Sequence, residues 1–238
     1  MGRRTGAFSL IGACVACGSA TPQRSAVQPL DPQQPHYGKS YAEWAGTWAE
    51  WVYEWPETPS CPDPVADESG ALCAFAQDPG SPVFFLTGNW GGVTRRTQCV
   101  APAGKALFLP IIVALFDNGG VPGANQKTDA QLMGNASGWF PSVSEVHFTI
   151  DGVALSPLAP YAVIAAPYQY ALPPEPNIFT CQGSPGVTGS YSGYASGYFV
   201  LLPPLAPGTH TIAFTAKQSM VNPPAFTLDV VYDPLTVR

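Results

Sequence analysis

Charge is scarce in this chain. Asp, Glu, Lys and Arg make up 11% of its 238 residues, against roughly 25% in an ordinary soluble domain. Ten Lys and Arg face 16 Asp and Glu, for a net charge of −6. No basic patch exists, so the electrostatic footprint of a nucleic-acid binder is missing. Histidine is rarer still, with three residues: His36, His147 and His210. None stands in an HxH or HExxH pattern, and past residue 17 no two cysteines are spaced C-x-x-C, so the usual zinc signatures are absent. There is no GxSxG elbow, no P-loop and no GxGxxG opening a helix. No motif calls for a cofactor. Beyond residue 17 no apolar run approaches the ~20 residues that span a bilayer. What is abundant is proline (27), glycine (24) and aromatics (12%). Disordered chains lack aromatics, so the composition points to a folded domain rich in turns.

The first residues, MGRRTGAFSLIGACVAC, read as an export signal. Arg3 and Arg4 form a charged start, and a short apolar stretch with Phe8, Leu10, Ile11 and Val15 follows. Small residues and a cysteine then close it. The segment resembles a bacterial lipoprotein signal, in which a diacylglyceryl group is carried by the cysteine that becomes the new N-terminus. Cys14 and Cys17 compete for that role. Processing at Cys17 leaves an even set of four cysteines, whereas processing at Cys14 leaves Cys17 unpaired, so Cys17 is preferred. The alternative is ordinary cleavage near Gly18 and a freely secreted product. Residues 18–36 carry Pro22, Pro29, Pro32 and Pro35 with no apolar periodicity, as an extended tether would.

The domain proper is expected over 37–238, opening with a helix at 40–55. Ser40 and Glu43 form a capping box, and Pro56 stops the helix. Tyr41, Trp44, Trp48, Trp51 and Trp55 recur at spacings of 3 and 4, one aromatic stripe. Packing on the domain is the plain reading of that stripe; an exposed ladder for sugars, apolar ligands or a membrane is the functional one. Short β-type runs follow: Val83–Leu86, Arg95–Val100, Ala106–Val113 with Pro110 marking an edge or bulge, Val146–Ile150 turning at Asp151-Gly152 toward Leu155, Tyr161–Ala165, Gly197–Leu202, Thr209–Thr215 and Phe226–Tyr232. Ser192–Gly197 reads as a Gly/Ser/Tyr loop. A second short helix is signalled at Thr128 with Gln131, though Gly134 and Gly138 weaken it. The fold class is mainly β: an antiparallel β-sandwich or jelly roll with one N-terminal aromatic helix.

Three segments carry a family likeness: SYAEWAGTWAEWVYEWP, then CAFAQDPGSPVFFLTGNWGGVTRRTQCVAPAGKALFLPII, then SGYFVLLPPLAPGTHTIAF with a final strand. Together they resemble a family of uncharacterised secreted bacterial proteins, over roughly residues 37–238. The resemblance implies secretion and a single domain and brings no catalytic residue. The PLAPGTHTIAF segment also resembles the last hairpin of many β-sandwich modules.

Cys61, Cys73, Cys99 and Cys181 in an exported domain suggest two disulfides, with three possible pairings. A hairpin between the Val83 and Arg95 strands would bring Cys73 to Cys99, leaving Cys61 for Cys181. Catalysis would need a pair of carboxylates, and Asp117, Asp129, Glu145, Asp151, Glu175 and Asp229 are the candidates. Asp117-Asn118-Gly119-Gly120, after an apolar strand, is the most site-like; such an acidic loop can bind Ca²⁺, and a plain turn is the simpler reading. Three functions follow. One is a non-catalytic envelope module binding a glycan, a protein or another surface component, held to the membrane by its N-terminal lipid. Another is a secreted hydrolase with a site in the 117–140 or 173–197 loops. The last is a structural part of an envelope assembly, using an exposed Trp44/Trp48/Trp51 face.

Overall fold

The computed structural model describes Gly2 and residues 27–56, 58, 60–220 and 225–238. The leader with Cys14 and Cys17, and the predicted tether up to residue 26, lie outside the described residues. Residues 27–36 are not loose: Val27 and Leu30 pack on the core, and the Leu30 N–H donates to the Leu201 carbonyl at 2.8 Å. Tyr41 seals this join. Its hydroxyl donates to Leu30 O and accepts from Leu201 N–H.

Helix α1 spans Tyr41–Tyr53 with the capping box complete at Ser40 and Glu43. It ends two residues short of the expected 55, and Trp55 continues the buried stripe beyond it at 0% exposure. Tyr41, Trp44 and Trp48 are buried too and Trp51 half-buried. The indole N–H groups of Trp44, Trp48 and Trp51 donate to the carbonyls of His36, Leu86 and Ala76. This is how indoles are buried without loss. The stripe is a packing face, and the exposed aromatic ladder is ruled out.

Among the described residues, ten strands form two sheets. The first has the order β1 (Val83–Phe85), β4 (Ala106–Asp117), β8 (Ser190–Leu202), β7 (Ala162–Ala171). The second runs β2 (Gly92–Arg96), β10 (Phe226–Val237), β9 (Gly208–Gln218), β5 (Val143–Ile150), β6 (Val153–Ala154), with β3 (Val100–Ala101) also on β10. The sandwich is mixed rather than purely antiparallel: β1 pairs parallel with β4, and β2 and β3 parallel with β10. Helix α1 lies on the first sheet, where Tyr41 and Trp44 meet Phe108 and Trp44 meets Phe85. It also guards the sheet's free edge. The Ala171 N–H donates to Glu54 at 2.8 Å, and the Gln169 N–H bonds Glu50. Exposed edge donors invite association. Gly46 lets the helix come this close, since a Cβ there would stand 2.6 Å from the Pro167 carbonyl.

Several expectations change. The Val83 and Arg95 runs form no hairpin; they lie in different sheets. Ser192–Gly197 is the middle of β8, not a loop. Its glycines are there for close approach: a Cβ at Gly197 would lie 2.1 Å from Ile112 O, and one at Gly193 2.5 Å from Phe116 O. The 203–207 turn does not close a hairpin but carries the chain from one sheet to the other. The true hairpin partner of β9 is β10. Pro110 does mark a bulge, and Asp151-Gly152 does turn β5 into β6. Helix α2 (Asp129–Trp139) forms with its Thr128–Gln131 capping box. Gly134 and Gly138 face open space there, so they weaken the helix without blocking it.

The disulfides join Cys61 to Cys181 and Cys73 to Cys99. Cys73 and Cys99 meet because the chain between them leaves one sheet and enters the other, not through a hairpin.

Candidate functional site

A cavity opens between the sheets because their strands differ in length. β1 pairs with β4 only over Ala106–Phe108, while β4 runs on to Asp117. Past Phe108 this edge of β4 has no strand beside it among the described residues, and residues 110–115 border a cavity of about 390 Å³. Trp48, Val52 and Tyr53 of α1, Trp139 of α2 and Leu228 of β10 close it. The remaining wall is α3 (Ile178–Cys181), which contributes Ile178 and Phe179 and is fastened by the Cys61–Cys181 bridge. Of the lining residues, Trp90 and Gln182 are exposed and mark the mouth. Among the described residues, no charged side chain lines the cavity.

Beside it lies a smaller recess of about 230 Å³, which shares Tyr53, Leu115 and Phe179 with the cavity wall. Its centre is Asp117. One carboxylate oxygen accepts from the hydroxyls of Tyr53 (2.6 Å) and Tyr168 (2.7 Å). The other accepts from the Tyr170 hydroxyl (3.0 Å) and the Gly119 N–H (2.7 Å). A carboxylate has about four acceptor sites, so all are filled. The rings stack as well: Tyr53 lies 4.0 Å from Tyr170 between centroids at an 11° tilt, and Phe179 follows at 6.0 Å. Burial first, and then the Asp117 charge, hold the Tyr53 and Tyr170 hydroxyls well above the ordinary tyrosine pKa. Tyr168 is held up in the same direction by burial, with Tyr53 and Asp117 adding to it. A Cβ on Gly119 would collide with the Tyr170 hydroxyl and the Phe179 ring, which explains glycine there.

Two regions singled out from sequence therefore meet at this place, the Asp117 loop and the 173–197 segment. Among the described residues, the recess holds one carboxylate, Asp117, and the cavity holds none. The other candidate acids are engaged elsewhere. Asp129 accepts from the Tyr194 hydroxyl, Glu145 pairs with Lys217, and Asp229 with Arg95. Glu175 accepts from the Gly186 N–H. Asp151 binds both the His210 ring at 2.7 Å and the Thr211 N–H at 2.9 Å. The other His210 nitrogen faces Ala206 O, so this pair ties a turn down, and neither residue borders the cavity or the recess. His147 is exposed on β5. His36 meets Asp31 O near the chain's entry to the domain. Among the described residues, no three His, Cys, Asp or Glu side chains group as a metal site. The Ca²⁺ reading of Asp117 also fails on chemistry, since four hydrogen-bond donors occupy the lone pairs a cation would need.

Sequence reasoning missed Tyr53, Tyr168, Tyr170 and Phe179. A weak signal existed. Tyr168 and Tyr170 alternate in PYQYA, which puts them on one face of a strand.

No protein-family model matches the chain, and comparison with curated proteins and with solved structures found no match.

Proposed function

We propose that this chain is a non-catalytic binding module of an exported envelope protein, anchored by lipid at Cys17 (or Cys14), and that the cavity between its sheets holds its ligand. The cavity carries this reading. Its volume of about 390 Å³ falls in the ~300–1,000 Å³ range of small-molecule sites, and such sites are mostly apolar. Two disulfides suit an oxidising compartment outside the cytoplasm. Among the described residues no helix is long and apolar enough to cross a membrane, which leaves the N-terminal cysteine as the anchor in this reading. The saturation of Asp117 and the dispersal of the other acids weigh against a hydrolase. Burial of Trp44 and Trp48 removes the face that an envelope assembly would have used.

The test has two arms. Native mass spectrometry of the protein from its own host should find a small-molecule adduct that Gly88→Leu abolishes. Gly88 lines the cavity and has room for a Cβ, with its nearest neighbour 4.0 Å away. An adduct unaffected by Gly88→Leu, or none at all, refutes the binding site. Mass analysis of the mature N-terminus should find acyl groups on Cys17; an unmodified N-terminus further along refutes the anchor.

A further inference from the structure

Of the polar side chains that line the cavity, those of Trp48, Trp90, Asn89 and Tyr53 are already committed inside the fold. The Trp48 indole donates to Leu86 O and the Trp90 indole to an Asp63 carboxylate oxygen. The Asn89 amide bonds Gly92 O and the Thr94 hydroxyl, and its oxygen accepts from the Gly91 N–H. The Tyr53 hydroxyl belongs to Asp117. The Trp139 indole nitrogen has no partner among the described residues, yet it has under 1 Å² of accessible area, so a ligand does not reach it. Gln182 stands at the mouth. Inside, then, an occupant meets aromatic and aliphatic carbon and the neutral backbone of β4. Among the described residues it finds no fixed charge and no waiting side-chain donor inside. Bringing a charged group into such a space strips its hydration with no counter-charge to replace it, and the free edge of β4 offers only neutral backbone hydrogen bonds along one wall. An apolar group loses nothing of the kind and gains burial.

We infer that the ligand of this cavity is an uncharged hydrocarbon-like molecule or chain of about 15 carbon atoms. The inference rests on reading the cavity as the ligand site. Its size follows from the volume. A dry apolar cavity of about 150 Å³ takes one benzene, or roughly 25 Å³ per carbon, so about 390 Å³ takes about 15. Any polar end lies at the mouth, beside Trp90 and Gln182.

A chain-length series tests this on the full protein. Straight-chain alcohols of about six to 18 carbons, delivered from cyclodextrin and followed by calorimetry, should bind more tightly by about fourfold per added methylene. The gain should stop near about 15 carbons, where the cavity is full. Gly88→Leu fills part of the space and should move that break about four carbons shorter. The same titrations are run with a disaccharide and with an apolar hexapeptide. If one of these binds in a Gly88→Leu-sensitive way and the alcohols do not, the cavity is a site but the ligand class is wrong. If alcohol affinity ignores chain length, the class is again wrong. If no probe of any kind binds, or Gly88→Leu alters nothing, the site itself is wrong and the inference falls with it.

Discussion

Arg96 and Asp117 are both enclosed in this domain, and among the described residues neither has an ionic partner. Arg96, 1% exposed, is held by the backbone. Its guanidinium donates to the carbonyls of Pro64, Val65, Asp67, Thr87 and Gly88 and to the Tyr232 hydroxyl. The Tyr232 ring also lies 5.1 Å from its charge. Asp117, half-buried, is held by side chains: three tyrosine hydroxyls and one N–H. Both satisfy the rule that a buried charge must be fully hydrogen-bonded. The difference lies in what each one fixes. Arg96 gathers carbonyls of two loops and makes them rigid, whatever their side chains are. Asp117 joins α1 to β7 through particular tyrosines beside the cavity. Each knot has its own disulfide nearby. A Cβ on Gly70 would touch both Arg96 and Cys99, and Cys181 follows Phe179, which stacks on Tyr53. The segment from Cys61 to Cys73 connects the two regions, with a disulfide at either end.

Removing the bridges one at a time separates the regions most sharply. Cys61–Cys181 closes 120 residues and Cys73–Cys99 closes 26. Chain entropy assigns them about 5 and about 3.5 kcal/mol. The Cys61→Ala/Cys181→Ala double variant should therefore be the less stable of the two in denaturant. It should also lose binding of the cavity ligand, since α3 is no longer fastened. If the Cys73/Cys99 pair proves costlier, loop entropy does not govern, and the Arg96 region depends on its bridge more than the cavity wall does.

Arg96→Met comes next. It keeps apolar length and takes a donor from five carbonyls; Pro64 O keeps the Thr87 hydroxyl and Thr87 O the Tyr232 hydroxyl, while those of Val65, Asp67 and Gly88 lose the donor they had. One orphaned group costs ~1–3 kcal/mol, and partial relaxation brings the sum to about 4 kcal/mol, read as a fall of about 12 °C in Tm. Arg96→Lys should recover little, because an ammonium cannot reach acceptors spread around a planar fork. A loss below about 1 kcal/mol would mean that the carbonyls find water, and that Arg96 does not organise these loops.

How much of this could be read from sequence differs between the two knots. The frame was visible: the capping boxes at Ser40 and Thr128, the stripe of Tyr41, Trp44 and Trp48, the Asp151-Gly152 turn and the alternation of His210, Ile212 and Phe214 all act locally. The distribution of strands between sheets was not, because parallel pairings such as Val83 with Ala106 are made by distant segments with no turn to announce them. Ser192–Gly197 looked like a loop because glycine and serine carry no apolar period. There the close approach of Tyr168 and Phe116 demands small residues, and only the folded neighbours reveal that. Arg96 falls inside the Arg95–Val100 run, and nothing in its sequence neighbours singles it out. Asp117 stood out for its turn chemistry, but its tyrosines come from other elements and lie 51 to 64 residues away in the chain.

The Asp117 knot should be the softer of the two, and it should carry a pH signature. Asp117→Ala strands three tyrosine hydroxyls, of which Tyr168 and Tyr170 are almost fully buried, and should cost about 3 kcal/mol. Asp117→Asn should cost less, since its amide can still accept from one pair and the hydroxyls can turn to accept from its N–H groups. Alkali separates the roles further. The native state holds Tyr53, Tyr168 and Tyr170 in the neutral form, by burial first. Once the pH passes about 10, tyrosines in the unfolded chain ionise. The unfolded state then binds fewer protons than the native state, so stability is intact below that pH and falls as pH rises above it. Asp117→Asn removes the carboxylate's share of the shift and leaves burial in place. Its stability should therefore fall less steeply above about pH 10 than that of the parent. Equilibrium unfolding across alkaline pH, with tyrosinate absorbance alongside, measures both slopes. Equal slopes would show that burial alone holds these hydroxyls neutral and that the carboxylate only positions the rings.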